Sequence, residues 1–405
     1  MTQKYFQTEA NRNFSIAMVW VNGGSNLDKE GKKGLNQILC SLLSRGCKGF
    51  GNLAFSEYVI SHGAELNLET LEDGLLISLK SLNEYFHKLF PLLNLIINNP
   101  LLLEEQFQNV KISTINTLKK EKENPFNIAF EKWRRLVYLS HPYAYNSSGY
   151  EKDILKITHK EVLLEFEDFK NRKKFLISNN LEIKDNNFDL SSKIFFENKP
   201  NPSPLESNNL NRYVSTHQNS NQIIIMLGNQ TCPLASYDYL PLKVLESHLS
   251  YGMSSALFKL FREKNGLTYD VGVFNPIRKQ NSPFLIYLSV SNKNALLAFE
   301  ILSELWKKLV SSIINEKEIY LAKVKLKSSF LISNQTLDQI LQKRIQQIGF
   351  DLDPNFDNIC LKKIENINSE DILKITKKYL SKPFLSTYGD KKICNKIKNL
   401  WIKNF

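Results

Sequence analysis

Gln37, Cys40 and Ser41 stand together in one short stretch, GLNQILCSLLSRG (Gly34 to Gly46). Gln37 and Ser41 are four residues apart, so on a helix they share a face, with the Cys40 thiol beside them. The stretch reads as a helix that follows a buried strand and a glycine turn. It is either an ordinary amphipathic helix or an active-site helix without its ligands. As a nucleophile, Cys40 would need a base within hydrogen-bond reach and a lowered pKa. His62 and His87 lie in the same half of the chain, but a small buried thiol is the better reading, and Cys47 reads the same way. His159, His217 and His248 carry no motif and read as surface or core residues.

The elements around this stretch form a series. FSIAMVWVNGG (Phe14 to Gly24) predicts a buried strand ended by a glycine turn, and FSEYVISHG (Phe55 to Gly63) a second helix. AELNLETLEDGLLISLKSL (Ala64 to Leu82) alternates about Glu72-Asp73-Gly74 and predicts a β-hairpin. Two long helices follow, the second, Leu103 to Asn124, stopped by Pro125. The series then recurs: a strand at QIIIMLG (Gln222 to Gly228), helices to Gly266, a strand pair in LTYDVGVF and PFLIYLSVS, and two more long helices. Two α+β domains of similar plan are the simplest account. They are expected at residues 1–190 and 222–405, with a linker at 191–221, in a stretch rich in Asn, Ser and Pro. Each would bury one face of a mostly antiparallel sheet under helices.

Composition narrows the function classes. The 405 residues carry a formal charge of +12, but the lysines are spread along the whole chain. With no Walker loop, zinc-finger spacing or aromatic-interleaved RNA motif, the charge reads as a solvated surface rather than a nucleic-acid footprint. Five scattered cysteines with no Cys-x-x-Cys argue for a reducing compartment. The start of the sequence shows no signal-peptide pattern, and its longest early apolar run is strand-sized. A cytoplasmic protein with no membrane association is expected.

Several strings meet a known family. GGSNLDKEGKKGLNQILCSLLSRG (Gly23 to Gly46) resembles the first signature of the insulinase-like, or M16, zinc metallopeptidases. There a similar turn leads into a helix of the form G-L-x-H-x-x-E-H-x-x-x-x-G. ENPFNIAFEKWRRLVYLSHPYAYNSSG (Glu123 to Gly149) resembles the segment around that family's D-x-P and H-P-Y-G strings, with His141 in a structural place. YGMSSALFKLFREKNGLTYDVG (Tyr251 to Gly272) resembles its second signature. The resemblance implies two homologous domains of the mitochondrial-processing-peptidase/LuxS-like α+β fold.

It also implies where a zinc site would lie, and that this chain lacks one. In the family two His residues one helical turn apart share a Zn²⁺, the Glu before the second activates water, and a later Glu completes the ligands. Aligned on Gly34-Leu35, Gly46 and Pro125, those places hold Gln37, Cys40, Ser41 and Thr117. Neutral amide and hydroxyl groups are poor zinc ligands, and Glu121, one turn beyond Thr117, cannot replace two imidazoles. The second signature, in contrast, keeps an Arg and a Tyr seven residues apart, Arg262 and Tyr269. In the family these hold a substrate backbone and stabilise the oxyanion. The implied role is a subunit with no metal of its own, paired with a zinc-bearing paralogue and acting on peptide or unfolded polypeptide. A family-derived scaffold, a homodimer that binds peptides without cutting them, and a cysteine-dependent enzyme are the alternatives.

Overall fold

The computed structural model describes residues 2–6, 13–180, 211–268 and 270–405. The first half of the chain runs β1 (Thr2–Phe6), β2 (Phe14–Asn22), α1 (Leu35–Leu43), α2 (Asn52–Ser61), β3 (Glu65–Thr70) and β4 (Gly74–Leu82). It continues with α3 (Asn83–Asn98), α4 (Glu104–Glu121), α5 (Pro125–Tyr138), α6 (Glu151–Ile154), α7 (His159–Asn171) and β5 (Lys174–Ser178). The second half runs β6 (Tyr213–His217), β7 (Gln222–Gln230), α8 (Tyr239–Ser250), a π-helical segment (Phe258–Lys264), β8 (Asp270–Phe274) and β9 (Pro283–Ser291). After these come α9 (Ala295–Ser311), α10 (Glu316–Ile332), α11 (Leu337–Gly349), α12 (Phe356–Lys363), α13 (Ser369–Leu380), β10 (Phe384–Gly389) and α14 (Lys391–Asn404).

Each half builds one five-stranded sheet, ordered β1-β5-β2-β4-β3 and β6-β10-β7-β9-β8, so each strand of the first has its counterpart five strand numbers later. In both sheets the first pair is parallel and the other pairs are antiparallel. The expected α+β repeat is present, with the predicted hairpin at β3 and β4 and its equivalent at β8 and β9. The expected linker is only partly a linker. Residues 191–210 lie outside the described residues, but Tyr213–His217 forms the outer strand of the second sheet, parallel to β10. An edge strand pairs on one side only, so its polar composition hid it.

The chain forms two compact units that are not contiguous in sequence. One comprises Met1–Glu121, Tyr145–Glu197 and Asn334–Asn355; the other comprises Lys122–Ala144, Asn198–Ser333 and Phe356–Phe405. They differ from the division expected at 190 and 222 by an exchange of helices. Helix α5 packs on β6, β7 and β10, and α11 packs on β2 and β5. The reason is in β2. Ala17, Val19 and Val21 join the core under α1, α3, α4 and α7, while Ile16, Met18 and Trp20, on the opposite face, are buried as well. A strand apolar on both faces needs cover on both, and α11 supplies the second layer. The Trp20 indole fills a slot between two glycines. A Cβ on Gly349 would lie 2.2 Å from its Nε1, one on Gly74 2.2 Å from its Cζ2, and Phe350 meets the ring edge-on at 5.7 Å.

The two exchanged helices have plain local causes. Pro125, expected only as a stop, is the first residue of α5, and the Asn124 side chain accepts from Phe126 N at 2.9 Å. On the second sheet Trp133 Nε1 donates to Phe384 O at 3.2 Å and Ser386 Oγ to Ala129 O at 2.8 Å. Helix α11 opens on a capping box of Thr336 and Gln339. No described helix is long and apolar enough to cross a membrane.

Candidate functional site

Helix α1 is held by a buried polar frame. The Asp28 carboxylate accepts from Gly34 N at 2.7 Å, Asn36 N at 3.0 Å and Asn36 Nδ2 at 2.8 Å, which satisfies amide donors that a helix start leaves open. Burial raises the Asp28 carboxyl above the usual range, and the Asn36 and Gly34 hydrogen bonds and Lys33 draw it back. Asn36 Nδ2 also donates to Glu165 Oε1 at 3.1 Å, and Arg172 Nη1 donates to Asn36 Oδ1 at 2.7 Å and to Gly23 O at 3.1 Å. Arg172 and Glu165 form an ion pair, both largely buried. The turn, α1, α7 and the start of β5 are thereby fixed together.

The side chains on this framework do not form a metal site. Gln37 and Ser41 do share a face, and they satisfy each other: Gln37 Nε2 donates to Ser41 Oγ at 3.2 Å. Cys40 is 1% exposed, in the core. Burial pushes its thiol up to about 12, with the Thr70 hydroxyl drawing it down and Glu69 pushing it up. Thr117 is exposed on α4, its hydroxyl donating to Ser113 O at 3.1 Å. Glu121 accepts from Asn146 Nδ2 at 3.0 Å. Zinc requires deprotonated thiolates, imidazoles or carboxylates in a tetrahedral set, and these residues do not supply one. Among the described residues no group of three or more His, Cys, Asp and Glu could hold a metal ion.

Nor is Cys40 an activated nucleophile. His62 Nδ1 is at 2.8 Å from Tyr58 O and its ring lies between Tyr58 and Tyr85, while His87 is exposed and Cys40 is not. All five cysteines are buried, and burial also pushes Cys232 and Cys360 up to about 12. Burial raises the Cys47 and Cys394 thiols as well, so all five favour the protonated, unreactive form. Native protein treated with a thiol-directed reagent at pH 8 is therefore expected to react orders of magnitude more slowly than urea-unfolded chain, which should titrate all five. Rapid labelling of Cys40 in the native state would reverse this reading.

Arg262 sits in the π-helical segment, where only Phe261 is buried. It is exposed, and its guanidinium lies 4.9 Å from the centre of the Phe258 ring. The segment closes with Gly266 N donating to Arg262 O at 3.1 Å and Leu267 N to Phe261 O at 2.8 Å. π-Helical turns are uncommon and concentrate at functional sites. Tyr269 lies outside the described residues. The repeat gives a further comparison. Gly63 and Gly266 both have φ +58°, each ending its helix before an outer hairpin. Counted from these glycines, the places of Arg262 and Tyr269 hold Val59 and Leu66 in the first half, Val59 buried and Leu66 half-buried. The place that Arg262 takes in the second half is thus filled by a buried apolar residue in the first.

The His-Pro-Tyr string is structural. His141 Nε2 lies 2.6 Å from Gln280 Oε1, and its Nδ1 accepts from Tyr143 N at 3.1 Å. Beside it, and unforeseen from residue spacing, Arg278 is 3% exposed with its guanidinium 4.6 Å from the Tyr143 ring centre and 5.6 Å from that of Tyr138. Only the folded loop brings these together.

Comparison with known proteins agrees with the fold. The family model described as insulinase (peptidase family M16) matches residues 5–146, and that described as peptidase M16 inactive domain matches residues 165–326. The chain is similar to an uncharacterized zinc protease of Rickettsia felis, 23% identical over 368 residues, 88% of each chain. It is also similar to the non-peptidase homolog YmxG of Helicobacter pylori, 22% identical over 86% of this chain and 82% of that one. Among solved structures, the peptidase M16 inactive domain from Pseudomonas fluorescens superposes with a TM-score of 0.80 at 18% identity, covering 96% of both chains. A protease from Helicobacter pylori superposes with a TM-score of 0.83 at 17% identity, covering 95% of this chain and 96% of that one.

Proposed function

Because the chain belongs to the peptidase M16, or insulinase, family, we propose that it is a non-catalytic M16 subunit that completes the active site of a zinc-bearing paralogue. The observation that carries this reading is the contrast between the two halves. Gln37, Cys40 and Ser41 on α1 and Thr117 on α4 carry neither imidazole nor carboxylate, while Arg262 is exposed at a turn whose repeat-mate, Val59, is buried. The name of the Helicobacter pylori relative, a non-peptidase homolog, supports the first part.

In this role the paralogue supplies zinc and the bound, extended peptide, held by addition to a sheet edge. Arg262 donates to a backbone carbonyl or carboxylate of that peptide, which fixes its register. Tyr269 donates its hydroxyl where negative charge develops on the scissile carbonyl. The present chain thus positions and stabilises but hydrolyses nothing alone. The site of action proposed is the cytoplasm.

Mixing provides the test. The purified chain is expected to carry no stoichiometric zinc and to leave a fluorogenic unstructured peptide uncut, and cleavage is expected only when a zinc-motif M16 paralogue is added. Zinc at one per chain with chelator-sensitive hydrolysis would overturn the non-catalytic assignment. A paralogue equally active without this chain would instead favour a family-derived scaffold, which the non-peptidase name of the relative also fits.

A further inference from the structure

Helix α10 is apolar on two opposite faces. Ile319, Ala322 and Leu326 are buried where it packs on α8, and Ser247 Oγ donates to Ala322 O there at 2.8 Å. Turned outward, Tyr320, Leu321, Val324, Leu331 and Ile332 are 64, 54, 44, 64 and 59% exposed. At about 100° per residue these five fall in one stripe roughly 120° wide, with Ser328 and Lys317 its other members. Single exposed apolar residues are ordinary, but a continuous row along one helix marks a face that is covered in use.

The two edges of the stripe differ in charge. On one edge Lys323 donates to Glu365 O at 2.9 Å and Lys327 pairs with the Glu365 carboxylate. The other edge carries Lys325, and beyond it lie Lys259, Lys308 and the half-buried His248. Burial pushes the His248 imidazole down, Glu318 draws it up, and the three lysines push it down again. Lys325 is lowered by burial and by Lys259. Glu318 lies on this edge as well, so three lysines stand there against one carboxylate, whereas Lys323 and Lys327 on the first edge stand against Glu365 and Glu316.

We propose that this face docks an acidic amphipathic helix of a partner protein. The occupant's apolar ridge lies along Tyr320, Leu321, Val324, Leu331 and Ile332, and its Asp or Glu residues meet Lys325 and Lys259. Two packed helices approach to about 8–10 Å, which suits a stripe one helix wide. A second copy of this chain, itself at +12, would bring like charge to the same edge. An anionic membrane calls for cations on both edges of an apolar face, whereas here Glu365 and Glu316 offset the two lysines of one edge. Neither Arg262 nor the zinc-bearing paralogue enters this inference.

The test uses the full chain with synthetic helical peptides of about 18 residues carrying a leucine stripe flanked by glutamates, and the same peptide with lysines in their place. Phosphatidylserine and phosphatidylcholine vesicles and sedimentation of the chain alone complete the set. The glutamate peptide is expected to bind and the lysine peptide not. Binding is expected to weaken by about tenfold or more in Val324→Ser with Leu331→Ser, and separately in Lys325→Glu, which leaves the apolar row intact. All three substituted positions lie outside the core, and an unchanged melting temperature checks that the variants fold. Equal binding of both peptides, variants that bind as well as the parent, preferential adsorption to phosphatidylserine, or self-association relieved by the serine variant would each overturn the proposal.

Discussion

Gly349→Ala is expected to destabilise the chain by about 2–3 kcal/mol, although alanine is the better helix former. The intrinsic gain of Ala over Gly in a helix is at most about 1 kcal/mol, and less at the last residue of α11. Against it stands a Cβ placed 2.2 Å from Trp20 Nε1 and 2.4 Å from Cδ1, where no real contact can sit. The indole cannot retreat, because Gly74 closes the other side and Phe350 its edge. Either α11 lifts from the first sheet or Trp20 leaves its rotamer, and both expose apolar surface. Trp20→Ala, which removes the largest side chain on that face, is expected to cost about 3–5 kcal/mol. Denaturant unfolding followed by tryptophan fluorescence measures both. A Gly349→Ala variant as stable as the parent would mean that α11 is not seated on β2 as described.

In the complex with a zinc-bearing paralogue, Tyr269→Phe is expected to lower kcat by about 10²-fold or more with little change in KM. Loss of one donor to a developing oxyanion has an effect of that order, and the interaction is absent in the ground state. Arg262→Ala is expected to raise KM as well, since in the proposed role its bonds to the peptide backbone would form before reaction. Arg262 is exposed, and an unchanged melting temperature of the variant checks that its truncation leaves the fold intact. Titration calorimetry of complex formation separates the two effects. Full activity of both variants within an intact complex would leave the scaffold role in their place.

The repeat was legible because its signals are local. The runs at β2 and β7, the Glu72-Asp73-Gly74 turn and the glycines at 63 and 266 are readable without knowing what packs where, and both hairpins form as read. The four altered positions, Gln37, Cys40, Ser41 and Thr117, came instead from the resemblance to the M16 signature; spacing alone shows only that Gln37 and Ser41 share a helical face. The exchange of α5 and α11 was not legible, because nothing in PFNIAFEKWRRLVY or LDQILQKRIQQIG names the sheet it will cover. One hint existed: β2 and β7 lack the polar alternation of a strand covered on one face, so a second layer had to come from somewhere. The burial of Arg278 against Tyr138 and Tyr143 gave no such hint, since it depends on a loop conformation that spacing does not encode.

The exchanged helix also sets a schedule for synthesis. The last strand of the first sheet ends at Ser178, but the helix that covers its second face ends at Gly349, 171 residues later. At about 5–20 residues per second, a ribosome takes roughly 10 to 30 s to close that gap. Throughout this interval the chain lacks α11, which packs on the face of β2 that carries Ile16, Met18 and Trp20, all buried in the finished fold. The nascent chain is therefore a natural client for a holdase, and its yield should depend more on chaperone supply and translation rate than its finished stability would suggest.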